Sequence, residues 1–213
     1  IETKLTVMKN LNVGGVAGVV NASGVVIENW QNGDPDAAPN SVTVNVAGNT
    51  AANYVGGVIG NNKNKALKNC HNHGNVSYTG ATDLTPYIGG VAGYSAVTGT
   101  TIENCDNYNN TDTDDSHIAI TVNSTSSQWV YVGGLFGSLG TSKAAISSIK
   151  DCTNNCAINV DATAIATSSQ HCIGGLAGLL ECSGTITSCV NGVRGDIVVD
   201  GTYTCNTAVA GMA

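Results

Sequence analysis

Charged and aromatic side chains are scarce in this chain of 213 residues. Only 11% of the residues are charged and 5% are aromatic, with one Phe and three Pro. Lys and Arg together number 8 against 15 Asp and Glu, so the net charge is −7 and the sequence pI is near 4.7. Nucleic acids attract basic patches, and this chain has no basic cluster to offset its acidity. The composition therefore excludes nucleic acid as an expected partner.

Long apolar runs and familiar catalytic motifs are also missing. No stretch approaches the ~20 apolar residues that a membrane-spanning helix needs, so no membrane span is expected. The chain has no G-x-S-x-G elbow, no H-E-x-x-H pair and no phosphate-binding glycine loop. Arg194 is the sole arginine, and the few acids are spread along the chain. We therefore predict that the chain is not an enzyme and uses no cofactor or catalytic residue.

Glycine, in contrast, is abundant, and it recurs as a Gly-Gly pair inside a short apolar motif. The first glycines of five copies lie at positions 14, 56, 89, 133 and 174, which gives an uneven period of 33 to 44 residues. The copies span residues 13–18, 55–60, 88–93, 132–137 and 173–178, with a degraded sixth at 208–211. Self-similarity at such a period is typical of solenoids and related repeat architectures.

A second landmark follows each pair, and an alternating apolar stretch follows the landmark. The landmark has an apolar residue, an Asn and usually a Cys, as in Ile102-Glu103-Asn104-Cys105. The alternating stretch is exemplified by residues 41–46. β-Branched runs bounded by Gly, Asn and Asp indicate strands, and no window has a sustained helical period.

Each repeat should hold about three short strands that cannot bury an inner face alone. We therefore predict an all-β fold, a parallel β-helix or β-solenoid of about five to six rungs that forms one domain over residues 1–213. The uneven period indicates short loop insertions, most clearly at 34–40 and 109–115.

The succession of G-G-[LV]-x-G, I-x-N-C and N-x-G resembles the GLUG-motif repeat family over nearly the whole chain. Trp30 replaces the Cys in the first copy, and the N-x-G portion decays in the third and fourth copies. The resemblance implies five GLUG-like repeats plus a partial sixth. It also implies a secreted or surface protein of bacteria or protists, found alongside adhesins and surface-attached enzymes, with no catalytic residue inside the repeat.

Eight cysteines, four of them at one repeat position, predict an oxidising compartment. Equivalent positions on neighbouring rungs lie about 4.7–4.9 Å apart, which is within the Cα separation of disulfides. The remaining pairs rest on their places before the Gly-Gly motif and on elimination. The predicted bonds are Cys70–Cys105, Cys152–Cys189, Cys172–Cys205 and Cys156–Cys182. The alternative is a ladder of buried free thiols.

Other candidate sites are weaker. Sequons make Asn21, Asn75, Asn109 and Asn123 glycosylation candidates in a competent secretory host. Asn110, Asp112 and Asp114 could offer oxygen ligands to calcium, but the segment lacks the EF-hand pattern and a solvated acidic loop is the favoured interpretation. His71 and His73 could form a weak metal site, although turn residues are the simpler interpretation.

These observations favour an extracellular or cell-surface structural protein that acts in adhesion or in head-to-tail filament or array assembly. Its expected partners are further copies of the chain or neighbouring surface-protein segments. The alternative is a carbohydrate-binding module in which Tyr54, Tyr87 and Tyr131 form a stripe for a glycan ligand. The same tyrosines could instead pack rung on rung without binding anything. A polysaccharide-degrading enzyme is the third possibility.

Overall fold

Strands and turns make up the protein. The computed structural model describes residues 2–5, 10–21, 26–46, 51–80, 85–108, 119–124, 128–141, 143, 145–162, 170–192, 194–200 and 206–211. These residues form 27 strands and contain no helix, which confirms the all-β prediction. The described residues therefore provide no helix that is long and apolar enough to cross a membrane.

The strands form five parallel sheets, which we name face 1 to face 5 in the order in which the chain visits them. Face 1 contains β2 (Leu11–Gly14), β7 (Ala52–Gly56), β12 (Thr85–Gly89), β17 (Val130–Gly133), β22 (Gln170–Gly174) and β27 (Asn206–Ala210). Face 2 contains β3 (Ala17–Val20), β8 (Ile59–Asn62), β13 (Ala92–Ser95), β18 (Phe136–Leu139) and β23 (Ala177–Leu180). Face 3 contains β4 (Val26–Glu28), β9 (Ala66–Lys68), β14 (Thr101–Glu103), β19 (Ile146–Lys150) and β24 (Cys182–Thr187). Face 4 contains β5 (Gln31–Asn32), β10 (His71–Asn72), β15 (Asp106–Asn107), β20 (Thr153–Asn154) and β25 (Val190–Asn191). Face 5 contains β1 (Glu2–Leu5), β6 (Ser41–Val46), β11 (Asn75–Gly80), β16 (Ala119–Ser124), β21 (Ala157–Ala162) and β26 (Ile197–Asp200).

One coil of the solenoid passes once through all five faces. Five complete coils begin at β2, β7, β12, β17 and β22, while β1 and β27 extend faces 5 and 1 beyond them. The predicted parallel β-solenoid of five to six rungs is therefore confirmed. The prediction of about three strands per repeat is wrong, because the strands of faces 3 and 4 are mostly two or three residues long and show no alternation in the sequence.

The interior of the solenoid is divided into two apolar cores. One core lies between faces 1 and 5 and contains Val55 and Ile88 of face 1 with Val44 of face 5. The other lies between faces 2 and 3 and contains Phe136 of face 2 and Leu67 of face 3. A coil thus has two lobes, and the Gly-Gly pair lies where they meet.

A column of asparagine side chains fills this joint between the lobes. Each side-chain nitrogen donates to the side-chain oxygen of the next coil, at 2.8, 2.8, 3.3 and 2.7 Å in succession. The column consists of Asn32, Asn72, Asn107, Asn154 and Asn191. The second glycine of each pair lies directly against it. A Cβ added to Gly57 would lie 2.2 Å from the Gly90 carbonyl oxygen and 2.3 Å from the Asn72 amide, so only glycine fits.

The corner between faces 3 and 4 explains the second asparagine that recurs in the first three repeats. Asn29, Asn69 and Asn104 have φ of 62°, 49° and 50°, in the left-handed region that Asn tolerates better than most residues. Asn69 donates to the Asn29 side chain at 2.9 Å, and Asn104 donates to Asn69 at 2.8 Å. Asp151 and Ser188 occupy this corner in the last two coils.

Replacing Gly57 with Ala should destabilise the fold by at least about 2 kcal/mol, because the added methyl group overlaps both backbone and the asparagine column. Urea unfolding followed by circular dichroism measures the loss. Gly211→Ala is the matched control, since a Cβ there meets nothing within 4 Å. Equal unfolding midpoints for the two variants would show that the joint is not tightly packed.

Candidate ligand-binding seam

Faces 1 and 2 meet along a line parallel to the solenoid axis. The chain reverses at the Gly-Gly pair, so face 2 of one coil packs against face 1 of the coil before it. A Cβ added to Gly93 would lie 2.4 Å from the Val55 nitrogen, and one added to Gly137 would lie 2.4 Å from the Ile88 nitrogen. The third glycine of each motif therefore permits this close approach.

Aromatic side chains line up along this contact. Tyr54, Tyr87 and Tyr131 are register partners on consecutive coils of face 1. Their ring centroids are 5.2 Å apart for Tyr54 and Tyr87, and 4.9 Å apart for Tyr87 and Tyr131, with interplanar angles of 27° and 11°. The predicted tyrosine stripe is therefore present. The next register partner is Cys172, where the stripe ends.

Two further aromatic residues, not anticipated from the sequence, join the stripe. Tyr94 of face 2 has its ring centroid 5.0 Å from that of Tyr54 and 5.2 Å from that of Tyr87. The Trp129 ring lies 5.9 Å from Tyr131. We call these five residues, Tyr54, Tyr87, Tyr94, Trp129 and Tyr131, the aromatic seam. The only sequence signal for Tyr94 was its place shortly after a Gly-Gly pair, because the chain reverses there and brings the residues after the pair beside those before it.

Exposure varies along the aromatic seam. Tyr131 is 7% exposed, whereas Trp129 is 42% exposed and the remaining three rings are half-buried. Burial raises the pKa of Tyr87, with neighbouring tyrosines adding to the effect, and burial raises the pKa of Tyr131 to about 12. The phenols therefore stay neutral at physiological pH, and the seam presents ring faces together with hydroxyl groups.

Polar but uncharged groups flank the aromatic rings. Asn12 is the register partner of Tyr54, and Asn61 is the register partner of Tyr94. The side-chain oxygens of both asparagines are buried and have no hydrogen-bond partner, and Asn61 is only 7% exposed. An unsatisfied buried acceptor costs about 1–3 kcal/mol.

The two outer rows that border the seam carry no charge in the complete coils. On face 1 the row consists of Asn12, Tyr54, Tyr87, Tyr131 and Cys172. On face 2 it consists of Val19, Asn61, Tyr94, Ser138 and Leu179. A bound molecule would therefore meet apolar surface, hydroxyls and amides along this line.

The cysteines stack as predicted, but the structure holds them as free thiols. Cys70, Cys105, Cys152 and Cys189, which we call the cysteine column, occupy one position on four consecutive coils. None of the seven cysteines in the described segments forms a disulfide, so the predicted bonds Cys70–Cys105 and Cys152–Cys189 are absent here. Each thiol instead lies near the carbonyl two residues before it, as Cys152 does with Lys150 at 3.2 Å.

The predicted pairing of Cys156 with Cys182 does not fit the topology. Cys156 is buried in the core between faces 1 and 5, whereas Cys182 begins β24 on face 3. These residues belong to different lobes, so the pairing by elimination is wrong. Cys172 aligns with Ala208, three positions beyond Cys205, and Cys205 itself lies outside the described residues.

His71 and His73 lie side by side, with ring centroids 6.1 Å apart. His71 is in β10 and its Nδ1 lies 3.3 Å from an Asp106 carboxylate oxygen, while His73 Nδ1 lies 2.7 Å from the Tyr108 carbonyl oxygen. Burial lowers the pKa of His73. Within the described ranges, no group of three or more His, Cys, Asp or Glu is arranged to hold a metal ion. His71 and His73 therefore pack against neighbouring residues at the end of β10.

The glycosylation candidates differ in how exposed their side chains are. Asn21 and Asn123 are exposed. The Asn75 side-chain oxygen accepts a hydrogen bond from the Ala119 backbone N–H at 2.8 Å, so this asparagine is partly engaged. The glycosylation candidate Asn109 and the calcium candidates Asn110, Asp112 and Asp114 lie outside the described residues.

Comparison with known proteins identifies no relative. No family model matches the chain, no curated protein is significantly similar to it, and no solved structure matches its fold significantly.

The stacked tyrosines predict a loss of stability at alkaline pH. Because the folded state raises their pKa values above the ordinary value of 10.0, it retains phenol protons that the unfolded chain releases. The stabilisation is complete below pH 10 and should fall as the pH rises through about 12. Absorbance titration of phenolate with parallel unfolding experiments measures both effects, and Tyr131→Phe should remove the ionisation near pH 12. Ionisation of every tyrosine at pH 10 in the folded protein would contradict the packing.

Proposed function

We propose that this chain is an extracellular or cell-surface β-solenoid that acts in adhesion by binding carbohydrate along the aromatic seam. The observation that carries the proposal is the alignment of Tyr54, Tyr87 and Tyr131 on three consecutive coils, with Tyr94 and the exposed Trp129 beside them. Aromatic rings with a polar edge offer sugars both an apolar face and hydrogen-bonding groups, as binding sites for small polar ligands generally do.

The arrangement favours an extended ligand over a single compact one. Register partners on neighbouring coils are separated by the strand spacing of about 4.8 Å, so the rings form a continuous line along the solenoid axis. A glycan chain lying along this line would contact several coils at once.

The electrostatics of the seam favours a neutral glycan. A site for uronic acid or sulfated sugars needs a cationic partner for each anion, and Arg or Lys is the usual partner. The outer rows of faces 1 and 2 supply none in the complete coils. These rows likewise hold no carboxylate pair, so the proposal assigns binding and not bond cleavage to the seam.

The extracellular location rests on composition, which is low in charge and rich in Asn, Ser and Thr. The resemblance to the GLUG-motif repeat family, whose members are secreted or surface proteins, supports the same location. The two inferences are independent, because composition concerns the whole chain and the resemblance concerns the repeated motif.

The first prediction of this proposal is that Trp129→Ala and Tyr87→Ala each weaken binding of a neutral oligosaccharide by about tenfold, equivalent to ~1.4 kcal/mol. A glycan array identifies the oligosaccharide, and isothermal titration calorimetry measures its affinity. Tyr108→Ala is the control, since Tyr108 contacts His73 on another face of the coil. In a Trp30→Phe background the fluorescence reports Trp129 alone, because the chain has only two tryptophans.

The outcomes separate the parts of the proposal. Binding of neutral glycans that both seam variants weaken, and Tyr108→Ala does not, supports it. Preferential binding of acidic glycans would contradict the neutral ligand class. A folded protein that binds no member of the array, or binds equally well after both substitutions, would remove the aromatic seam as the site.

End-to-end assembly is a second candidate, favoured by the two ends of the described solenoid. Val16 aligns with the fully buried Val58 of the next coil yet is 47% exposed. Ile186 aligns with the buried Ile149 yet is 39% exposed. A second copy stacked on either end would cover such residues. However, translation along the axis would join faces 1 and 5 while leaving faces 2, 3 and 4 one strand short at the junction.

Assembly of this kind predicts concentration-dependent growth in solution. Sedimentation velocity of the chain should show species larger than the monomer at high concentration, and Ile186→Lys should suppress them because the charge would be buried at the junction. Val19→Lys is the matched control, since Val19 is also exposed but lies on the outer row of face 2. A monomer at every concentration would refute end-to-end assembly by the chain alone.

A further inference from the structure

We infer that the cysteine column is a site of oxidative modification, at which disulfides form between adjacent coils when the chain folds in the presence of a disulfide oxidant. The column lies in the core between faces 2 and 3, whereas the aromatic seam lies on the outer rows of faces 1 and 2, so this inference does not depend on the proposed ligand.

The backbone geometry at the column places neighbouring cysteines within bonding distance. The Asp106 nitrogen donates to the Cys70 carbonyl at 3.1 Å, and the Val190 nitrogen donates to the Cys152 carbonyl at 2.9 Å. Consecutive cysteines are therefore held one strand spacing apart, about 4.8 Å. Disulfides join Cα atoms that are 4.4–6.8 Å apart, so this spacing lies within the range that a disulfide spans.

The side chains are also grouped on one side of the coil. Cys70, Cys105 and Cys152 belong to the core between faces 2 and 3, and Cys189 packs against it. The Cys152 sulfur lies 3.5 Å from the Cys105 backbone nitrogen, and successive thiols of the column interact with one another. Trp30 occupies the same position in the first coil, so the cysteine column begins at the second coil.

The number of thiols determines which bonds form. Each cysteine can reach only its neighbours in the column, so Cys70–Cys105 together with Cys152–Cys189 uses all four thiols. A bond between Cys105 and Cys152 would leave the two outer thiols without a partner. The paired arrangement locks the second coil to the third and the fourth to the fifth. Each bond closes a loop of roughly 36 residues, long enough to restrict the unfolded chain substantially.

The chemistry is thiol–disulfide exchange with a small disulfide such as glutathione disulfide, or with a protein disulfide donor. One cysteine thiolate attacks the oxidant and releases one thiol, which leaves a mixed disulfide. The neighbouring thiolate then displaces the second thiol and forms the protein disulfide. Two cysteine thiols lose two protons and two electrons, and the oxidant is reduced to two thiols.

Burial sets when this reaction occurs. Cys70, Cys105 and Cys152 have no exposed surface in the folded chain, so a dissolved disulfide cannot reach their sulfur atoms. Oxidation should therefore take place as the coils assemble and be slow once they have closed.

The test is refolding of the reduced, denatured full chain with and without a glutathione and glutathione disulfide mixture. Remaining thiols are alkylated, and non-reducing peptide mapping by mass spectrometry identifies the bonds. We expect Cys70–Cys105 and Cys152–Cys189 in the chain refolded with oxidant. Native reduced protein treated with the same mixture should acquire these bonds far more slowly.

Thermal unfolding provides the second readout. Reduction of the oxidised protein, or Cys105→Ala within it, should lower Tm by about 5–10 °C, as expected for loss of a disulfide from a chain of this size. Cys172→Ala is the control, because Cys172 lies on face 1 outside the column. Comparing Cys105→Ala with wild type under fully reducing conditions separates loss of the bond from loss of packing.

Two results would overturn the inference. One is a chain that refolds with native circular dichroism in the presence of oxidant while all four column thiols remain open to alkylation after denaturation. The other is a peptide map in which bonds join Cys156, Cys172 or Cys182 in place of the column. Glycan binding by the oxidised and reduced forms, measured in the same samples, reports on the aromatic seam separately.

Discussion

The asparagine column at the joint between the two lobes is the interaction on which the rest of the fold depends. Each amide inside the column both donates and accepts along the axis, so one side chain per coil satisfies its neighbours and fixes their register. The glycine opposite is required by the same contact, because any Cβ there would occupy the space of the amide. A residue pair that is far apart in sequence, Gly57 and Asn72, is therefore a single structural unit repeated in every coil.

The alignment of successive coils also determines which side chains become neighbours at positions that do not contact the asparagine column. Once coils are aligned, equal positions in successive repeats become neighbours at the strand spacing, whatever their chemistry. This alignment turns tyrosines at one outer position into a stack and cysteines at one inner position into a column. The seam and the cysteine column are therefore products of the repeat, and each depends on which residue occupies one position in several consecutive coils.

Most of the architecture was predictable from the sequence, because the Gly-Gly period and the alternating stretches are local signals. The number of strands per coil was not, since two-residue strands such as Gln31–Asn32 have no period to detect. The disulfide Cys156–Cys182 was assigned by elimination, and counting cannot show that two residues lie in different lobes. Tyr94 was also missed. Its proximity to Tyr54 arises from packing between two faces and not from the repeat.

The limits of the aromatic seam distinguish a binding site from a purely structural ladder. A ladder needed for packing would be expected in every coil, as the asparagine column is. The tyrosine row instead occupies three coils and is bordered by Asn12 below and Cys172 above. Inner positions are constrained by the cores and cannot vary freely, whereas outer positions can change from coil to coil without affecting the stack. A short aromatic segment on an otherwise regular scaffold is thus the kind of variation through which a repeat protein acquires one ligand site of defined length.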